Sequence, residues 1–236
     1  DMPTIETKNL KTNFFLKRNL FWLNTYFRYQ KRLSIFKDLN EEELLITDYI
    51  YFPLHQDPEA QLTTDNPIWG DAQMVIEMLT KMIPLHYKLC VRDHMDNIGM
   101  RPKGFYEHLT SLPGVSLLSP LGDSTKFIKH ANLIITLSGT AGWEGLLMGK
   151  PVITLNKAHY DITSLTYKVE NINKLDQTIL KTLKVHKIKD ERTYYRKLAL
   201  FVDTVDEIGF KTDDEAVGDC IKRIEEAVAE RKHQIN

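Results

Sequence analysis

The chain has 236 residues and a formal net charge of −1, with 42% hydrophobic and 27% charged residues. A near-neutral chain offers no global field to a polyanion, so nucleic acid is not an expected partner. No apolar run is long enough to span a bilayer and no signal-peptide pattern is present. The two cysteines, Cys90 and Cys220, show neither a disulfide framework nor metal spacing, which points to free thiols in a reducing compartment.

Residues 1–45 read as a basic, aromatic, helical linker or remnant. From Asp1 to Lys37 there are eight Lys/Arg against two Asp/Glu, with Phe14, Phe15, Phe21, Trp22, Tyr26, Phe27, Tyr29 and Phe36 interleaved. Such a segment packs on its own domain or on another, or rests on an anionic membrane surface.

Residues 46–170 read as one alternating α/β domain. A strand over 48–53 ends at Pro53, and a polar loop runs from His55 to Pro67. A helix starts at Gly70 or Asp71, with Met74, Val75, Met78, Leu79 and Met82 at helical spacing. The second strand is 87–91 and the third 115–118, separated by a short helix around 104–110. Asp123 is the expected N-cap of a helix reaching Lys129. The fourth strand, 133–137, leads through Ser138-Gly139-Thr140 into a helix over 141–148, which Gly149 terminates. The fifth strand is 151–155. Residues 171–236 read as C-terminal helices packed on the domain. Thr212-Asp-Asp-Glu215 forms a capping box, followed by a stripe of Ala216, Val217, Cys220, Ile221, Ile224 and Val228.

Short apolar strands alternating with helices predict an α/β fold, a doubly wound, Rossmann-like parallel sheet with N- and C-terminal helical extensions. Ligands of such sheets bind beyond the carboxyl ends of the strands, where strand order reverses. In a 3-2-1-4-5 order the first and fourth strands are neighbours, so the loops after them converge.

Those loops carry the chemistry. Ser138-Gly139-Thr140 opens a helix whose N-terminal amides and dipole favour an anion, and its glycine lets a ligand approach the backbone. Glu144, one helical turn on, reaches the same pocket, where a carboxylate suits a sugar hydroxyl. Neither Walker spacing nor the full G-x-G-x-x-G fingerprint is present. His55 and Glu59, with Asp57 between them, follow the first strand and offer a general base or polar contacts to sugar or phosphate. Arg92 and His94 end the second strand and suit a phosphate. His159, after the fifth, suits a nucleobase or sugar. His86, His108 and His130 read as structural or exposed, without partners. No metal-ligand spacing appears.

Four stretches in one order, Tyr51-Phe-Pro-Leu-His-Gln-Asp-Pro-Glu59, Leu89-Cys-Val-Arg-Asp-His94, Ser138-Gly-Thr-Ala-Gly-Trp-Glu144 and Gly149-Lys-Pro-Val-Ile153, resemble the capsule polysaccharide biosynthesis family of Kdo-transferase-like bacterial proteins. More broadly they resemble the nucleotide-sugar-binding half of a GT-B glycosyltransferase. The resemblance covers about residues 46 to 165. It implies a nucleotide-sugar donor, CMP-Kdo in characterised relatives, with Ser138, Gly139 and Thr140 on phosphate, Glu144 on a hydroxyl, and His94 matching the histidine of the family's Lys-Glu-His-Pro segment. Met95 stands here in place of that proline. A GT-B enzyme needs two sheet domains, and this chain has room for one.

The sequence is therefore expected to encode a glycosyltransferase, or its donor-binding domain, that uses a CMP- or UDP-linked sugar and no other cofactor or metal. Its expected acceptor is a bacterial surface glycan or glycolipid. The expected place is cytoplasmic or peripheral at the inner membrane, with polysaccharide-assembly proteins as further partners. Two alternatives stand beside this: a non-catalytic nucleotide-sugar-binding or scaffold protein lacking the acceptor domain, and a sugar-nucleotide epimerase or hydrolase of related fold.

Overall fold

The computed structural model describes residues 20–207 except 22, 37–40, 56–68, 122, 170, 187 and 189. The loop bearing Asp57 and Glu59 and the C-terminal stripe from Ala216 to Val228, with Cys220, lie outside the described residues.

Six strands form one parallel sheet in the order β3-β2-β1-β4-β5-β6. They are β1 (Tyr49–Pro53), β2 (Lys88–Arg92), β3 (Val115–Leu118), β4 (Leu133–Thr136), β5 (Val152–Thr154) and β6 (Tyr167–Lys168). The first five match the sequence expectation to within one residue at each end. The sixth is two residues long, too short for any period to register. The central strands are buried on both faces: every residue of β4 and β5 is covered, and so are the first four of β1. That is why they read as continuous apolar runs rather than alternations.

The helices are α1 (residues 20–21 and 23–33), α2 (Glu41–Ile46), α3 (Ala72–Met82), α4 (Phe105–Ser111), α5 (Thr125–His130), α6 (Thr140–Leu147), α7 (Leu175–Val185) and α8 (Glu191–Glu207). Two apolar clusters lie on the two faces of the sheet. One gathers Ile50, Phe52, Val75, Leu79, Leu89, Ile135 and Ile179. The other gathers Tyr49, Tyr51, Cys90, Phe127, Ile134, Leu146 and Tyr160. Alternate residues of β1, Ile50 and Phe52 against Tyr49 and Tyr51, divide between them, as the two-residue strand period requires.

Helix ends follow their caps. Asp71 accepts the Met74 amide at 3.1 Å and starts α3. Asp123 accepts the Thr125 amide at 2.8 Å, but Ser124 rather than Asp123 occupies the N-cap of α5. Gly149, at φ +68°, closes α6: its amide donates to Leu146 O at 3.0 Å and the Lys150 amide to Gly145 O at 2.8 Å. That pair is a Schellman closure, which needs the left-handed residue glycine supplies.

α1 packs on the loop after β2. Arg32 donates to Ile98 O at 2.7 Å and to Pro102 O at 3.1 Å, and its guanidinium lies 5.4 Å from the Tyr106 ring centre. Leu20, Phe21, Leu23, Tyr26 and Phe27 remain exposed.

Candidate functional site

The carboxyl ends of β1 and β4 lie side by side at the point where the strand order reverses. Leu54 extends β1 by donating its amide to Arg92 O at 2.8 Å, and His55 follows at the sheet edge. Beyond β4, the Ser138 amide donates to His55 Nε2 at 3.4 Å, a long hydrogen bond. The imidazole lies against the turn: a Cβ on Gly139 would stand 3.2 Å from His55 Cε1. The Gly139 amide donates to Thr136 Oγ1 at 3.2 Å, and the Tyr160 hydroxyl donates to Gly139 O at 2.8 Å. Two amides expected to face a phosphate, those of Ser138 and Gly139, thus meet protein acceptors here. Thr140 is exposed at the first position of α6.

The glycines of α6 have a role the sequence reading did not give them. A Cβ on Gly142 would stand 2.2 Å from the Tyr160 hydroxyl, and one on Gly145 would stand 2.2 Å from Ile134 Cδ1. Both residues bring the helix down onto β4 and Tyr160.

Glu144 is half-buried, one turn into α6. Its charge acts on Tyr51. Burial first, then the Glu144 charge, raises the Tyr51 phenol well above its ordinary range, while Arg92 opposes both. The Tyr51 side chain is hydrogen-bonded to Arg92. Arg92 also donates Nε to Ser119 O at 3.1 Å and Nη2 to Pro120 O at 2.9 Å. Its guanidinium therefore ties the ends of β1, β2 and β3 together.

Sequence reasoning missed Asp93, which is 1% exposed at the end of β2. Its carboxylate accepts Arg101 Nε and Nη2, each at 3.0 Å, Tyr106 Oη at 2.6 Å, Asn97 Nδ2 at 3.2 Å and the His94 amide at 2.8 Å. Five donors on one buried carboxylate offset its desolvation. Two of these donors reach on to β1's loop: Asn97 Nδ2 to His55 O at 2.8 Å and Arg101 Nη2 to the same oxygen at 3.2 Å. A clue was present in the strand-ending Arg-Asp-His, but the partners, 4 to 13 residues downstream, carry no periodic signal.

His94 is half-exposed and caps the short 3-10 turn after β2. Its Nδ1 accepts the Asp96 amide at 3.3 Å and lies 3.5 Å from the Asp96 carboxylate.

His159, Tyr160 and Asp161, neighbours after β5, separate in the fold. Asp161 accepts Thr154 Oγ1 at 3.0 Å, Thr166 Oγ1 at 2.7 Å and the Ala158 amide at 2.9 Å, so it braces the loop after β5. Tyr160 is buried beneath Gly142. His159 is exposed at its edge, with its ring face stacked on Phe201 at 6.0 Å. That covered face lowers its pKa, Asp161 opposing. His108, expected to lack a partner, lies 2.7 Å from Glu77 Oε1 through Nε2, an α3–α4 contact that sequence spacing cannot show.

Among the described residues no group of three His, Cys, Asp or Glu is placed to hold a metal ion, and no helix is long and apolar enough to cross a membrane. A cavity of about 290 Å³ with Tyr167, His186, Asp190 and Lys197 in its wall lies where the chain enters β6, at the opposite edge of the sheet from His55.

The fold and this edge define a doubly wound α/β domain with its polar residues at the switch point. The family model for capsule polysaccharide biosynthesis proteins matches residues 23–197, and the chain belongs to that family. The match extends beyond residues 46–165 to include α1 and the first part of α8. A search of curated proteins finds no match. Among solved structures the chain is similar to the Thermosulfurimonas dismutans KpsC, a beta Kdo 2,7 transferase, at 15% identity over 75% of this chain and 61% of that one, with a TM-score of 0.44. It is similar to the Methanocaldococcus jannaschii UDP-GlcNAc 2-epimerase in complex with UDP-GlcNAc and UDP, at 18% identity over 74% and 51%, TM-score 0.47. It is also similar to the glycotransferase of kitacinnamycin, at 12% identity over 75% and 43%, TM-score 0.40. The chain thus spans between 43% and 61% of these proteins' lengths, and at such scores the likeness transfers no residue role.

Proposed function

We propose that this chain is the donor-binding part of a glycosyltransferase, one that moves a sugar from a nucleotide donor onto a glycan or glycolipid acceptor of a bacterial capsule. The observation that carries the reading is the hydrogen bond from the Ser138 amide to His55 Nε2, which joins the loops after β1 and β4 at the switch point of a capsule-family fold. Ligands of open α/β sheets bind in that crevice.

In the proposed reaction the bond between the anomeric carbon and the donor phosphate breaks, and its electron pair leaves with the nucleotide. The acceptor oxygen bonds to the anomeric carbon and loses its proton to a base. The dipole at the start of α6, with Thr140 at its first position, stabilises the charge on the departing phosphate. Glu144, close to Tyr51, accepts from a donor hydroxyl. His94 and Arg92 edge the phosphate side, and His159 the base or sugar side. His55 and Glu59 are the two candidate bases from the sequence. CMP-Kdo is the proposed donor, with a UDP-sugar as the competitor.

A thermal-shift panel of CMP, UDP, GDP and their sugar conjugates tests this. One nucleotide class should raise the melting temperature by mass action. Glu144→Ala and Thr140→Ala should each reduce that shift, and a full shift in both variants would remove the proposed donor site.

The exposed face of α1 supports a membrane-facing acceptor side. Residues 7–37 hold eight cations and no carboxylate, Arg32 alone of the described ones being turned into the domain, and Leu20, Leu23, Tyr26 and Phe27 are exposed. The chain should sediment with anionic vesicles and Leu23→Glu/Phe27→Glu should not; equal sedimentation of both removes this reading.

A further inference from the structure

His55 stands in the way of the proposed donor phosphate. The Ser138 amide, which a phosphate at this turn would take, is already given to His55 Nε2 at 3.4 Å. A ring nitrogen that accepts this amide is the one without a proton. The ring is held there from behind: Asn97 Nδ2 and Arg101 Nη2 both bind the His55 carbonyl, and Asp93 holds both of them. The backbone of His55 is fixed while the bond from Ser138 to its ring is long. Such an arrangement keeps the ring at the turn and lets its partner change.

We propose that His55 is a phosphate ligand of the donor site and that Asp93 is the residue that positions it. The incoming phosphate oxygen takes the Ser138 amide, His55 Nε2 takes a proton from solvent, and that N–H donates to the same phosphate. This rests on the nucleotide-sugar reading of the site and assigns His55 to the donor side, which leaves the base role to another group.

The surroundings permit the change of charge. Arg101, bound to the His55 carbonyl, is paired at 3.0 Å to Asp93 behind it, so the two charges there oppose one another. The turn across from it, Ser138-Gly139-Thr140, carries no charge, and the Tyr160 phenol there donates to Gly139 O. Glu144 lies one turn further along α6, and Asp57 and Glu59 follow His55 in sequence. An anionic phosphate against the ring then supplies the largest new charge and raises the imidazole's affinity for a proton.

Binding should therefore be accompanied by proton uptake. An ordinary imidazole with a pKa near 6.5 that rises to about 7.5–8.5 takes up about 0.4–0.8 of a proton at pH 7.5. Titration calorimetry with CMP and with UDP, each in two buffers of different ionisation enthalpy, measures this directly on the full chain. His55→Gln keeps a side chain able to accept and donate but cannot titrate. The nucleotide's own phosphate ionisation is the same for both proteins and cancels in their difference. The expected result is an uptake of about 0.4–0.8 of a proton more for the wild type than for His55→Gln, with wild-type affinity rising about three-fold or more from pH 8.5 to 6.5 relative to the variant. Asn97→Ala, which frees one of the two holds on the His55 carbonyl, should weaken binding about five-fold and reduce the uptake together. An Asn97 that only supported the fold would change the melting temperature and leave the uptake per bound ligand as it was. If nucleotide binds with equal proton uptake in wild type and His55→Gln, the assignment of His55 falls and the donor site stands. If neither nucleotide binds, the donor site falls and takes this assignment with it.

Discussion

Replacing Gly142 by alanine tests how the turn is held. The new Cβ would stand 2.2 Å from Tyr160 Oη, 2.8 Å from its Cζ and 2.9 Å from Thr136 Cγ2. The ring end belongs to a fully buried tyrosine, so it cannot swing into solvent. Overpacking of this kind costs about 1–3 kcal/mol. Displacing the phenol also breaks its 2.8 Å hydrogen bond to Gly139 O, worth about 1 kcal/mol. Against these, alanine gains about 1 kcal/mol of helix propensity over glycine. The net loss is about 1–3 kcal/mol, and for a chain of this size each kcal/mol lowers the melting temperature by about 2–4 °C. Thermal unfolding followed by circular dichroism measures it. Tyr160→Phe removes only the hydroxyl, so the double variant should show a coupling of at least about 0.5–1 kcal/mol between the two sites. Because Tyr160 anchors the carbonyl at the start of α6, Gly142→Ala should also weaken nucleotide binding. A variant as stable as the wild type would mean that propensity outweighs packing, and the account of α6 seated on Tyr160 would be wrong.

Cys90 is fully buried in β2 and burial pushes its thiol up to about 12. In a Cys220→Ser background it should react with a thiol reagent only at the rate of unfolding at pH 8, and rapid labelling of the native protein would contradict its placement. His159 is held below its ordinary pKa by partial burial of its ring. The folded state thus binds fewer protons than the unfolded one, so this group's contribution to stability is full above about pH 6.5 and declines as pH falls through that value. His159→Gln should flatten that part of the stability profile, and an NMR titration placing His159 at or above 6.5 would refute it. Arg92→Ala removes donors to Ser119 O, Pro120 O and the Tyr51 side chain, and should lower stability by about 2–3 kcal/mol in urea unfolding; a loss under about 0.5 kcal/mol would show that the ends of β1 and β3 do not depend on it.

The sheet was legible because its signal is local. β1, β2, β3, β4 and β5 are short apolar runs bounded by proline, glycine or polar loops, and the crossovers between them fix the order. β6 was not, because two residues held by a neighbouring edge leave no pattern. At the site the same division applies. His55, Ser138 and Gly139 were readable from their positions after strands, and the fold brings them into contact. Asp93, Asn97, Arg101 and Tyr106 were not, because what makes them a unit is burial and convergence on one carboxylate. Arg92 ends β2 as the sequence placed it, but that its Nε and Nη2 reach backbone carbonyls beyond β3 was not legible, because the register of β2 and β3 sets it.

Glycines after a strand are commonly read as space for a ligand, and here they make that space at one remove. Gly142 and Gly145 let α6 settle onto Tyr160 and Ile134. That depth sets where the helix begins, and Tyr160 then fixes Gly139 O from below while Thr136 fixes its amide. The turn is thus anchored on the β4–β5 side by buried, uncharged contacts. On the β1–β2 side His55 is anchored by the charged Asp93–Arg101 pair. Between the two loops, among the described residues, runs the long bond from Ser138 to His55. Rigid supports on both sides with a weak bond between them put the least stable contact at the place a ligand would enter, so a phosphate there replaces one long hydrogen bond without having to disturb the packing that positions it.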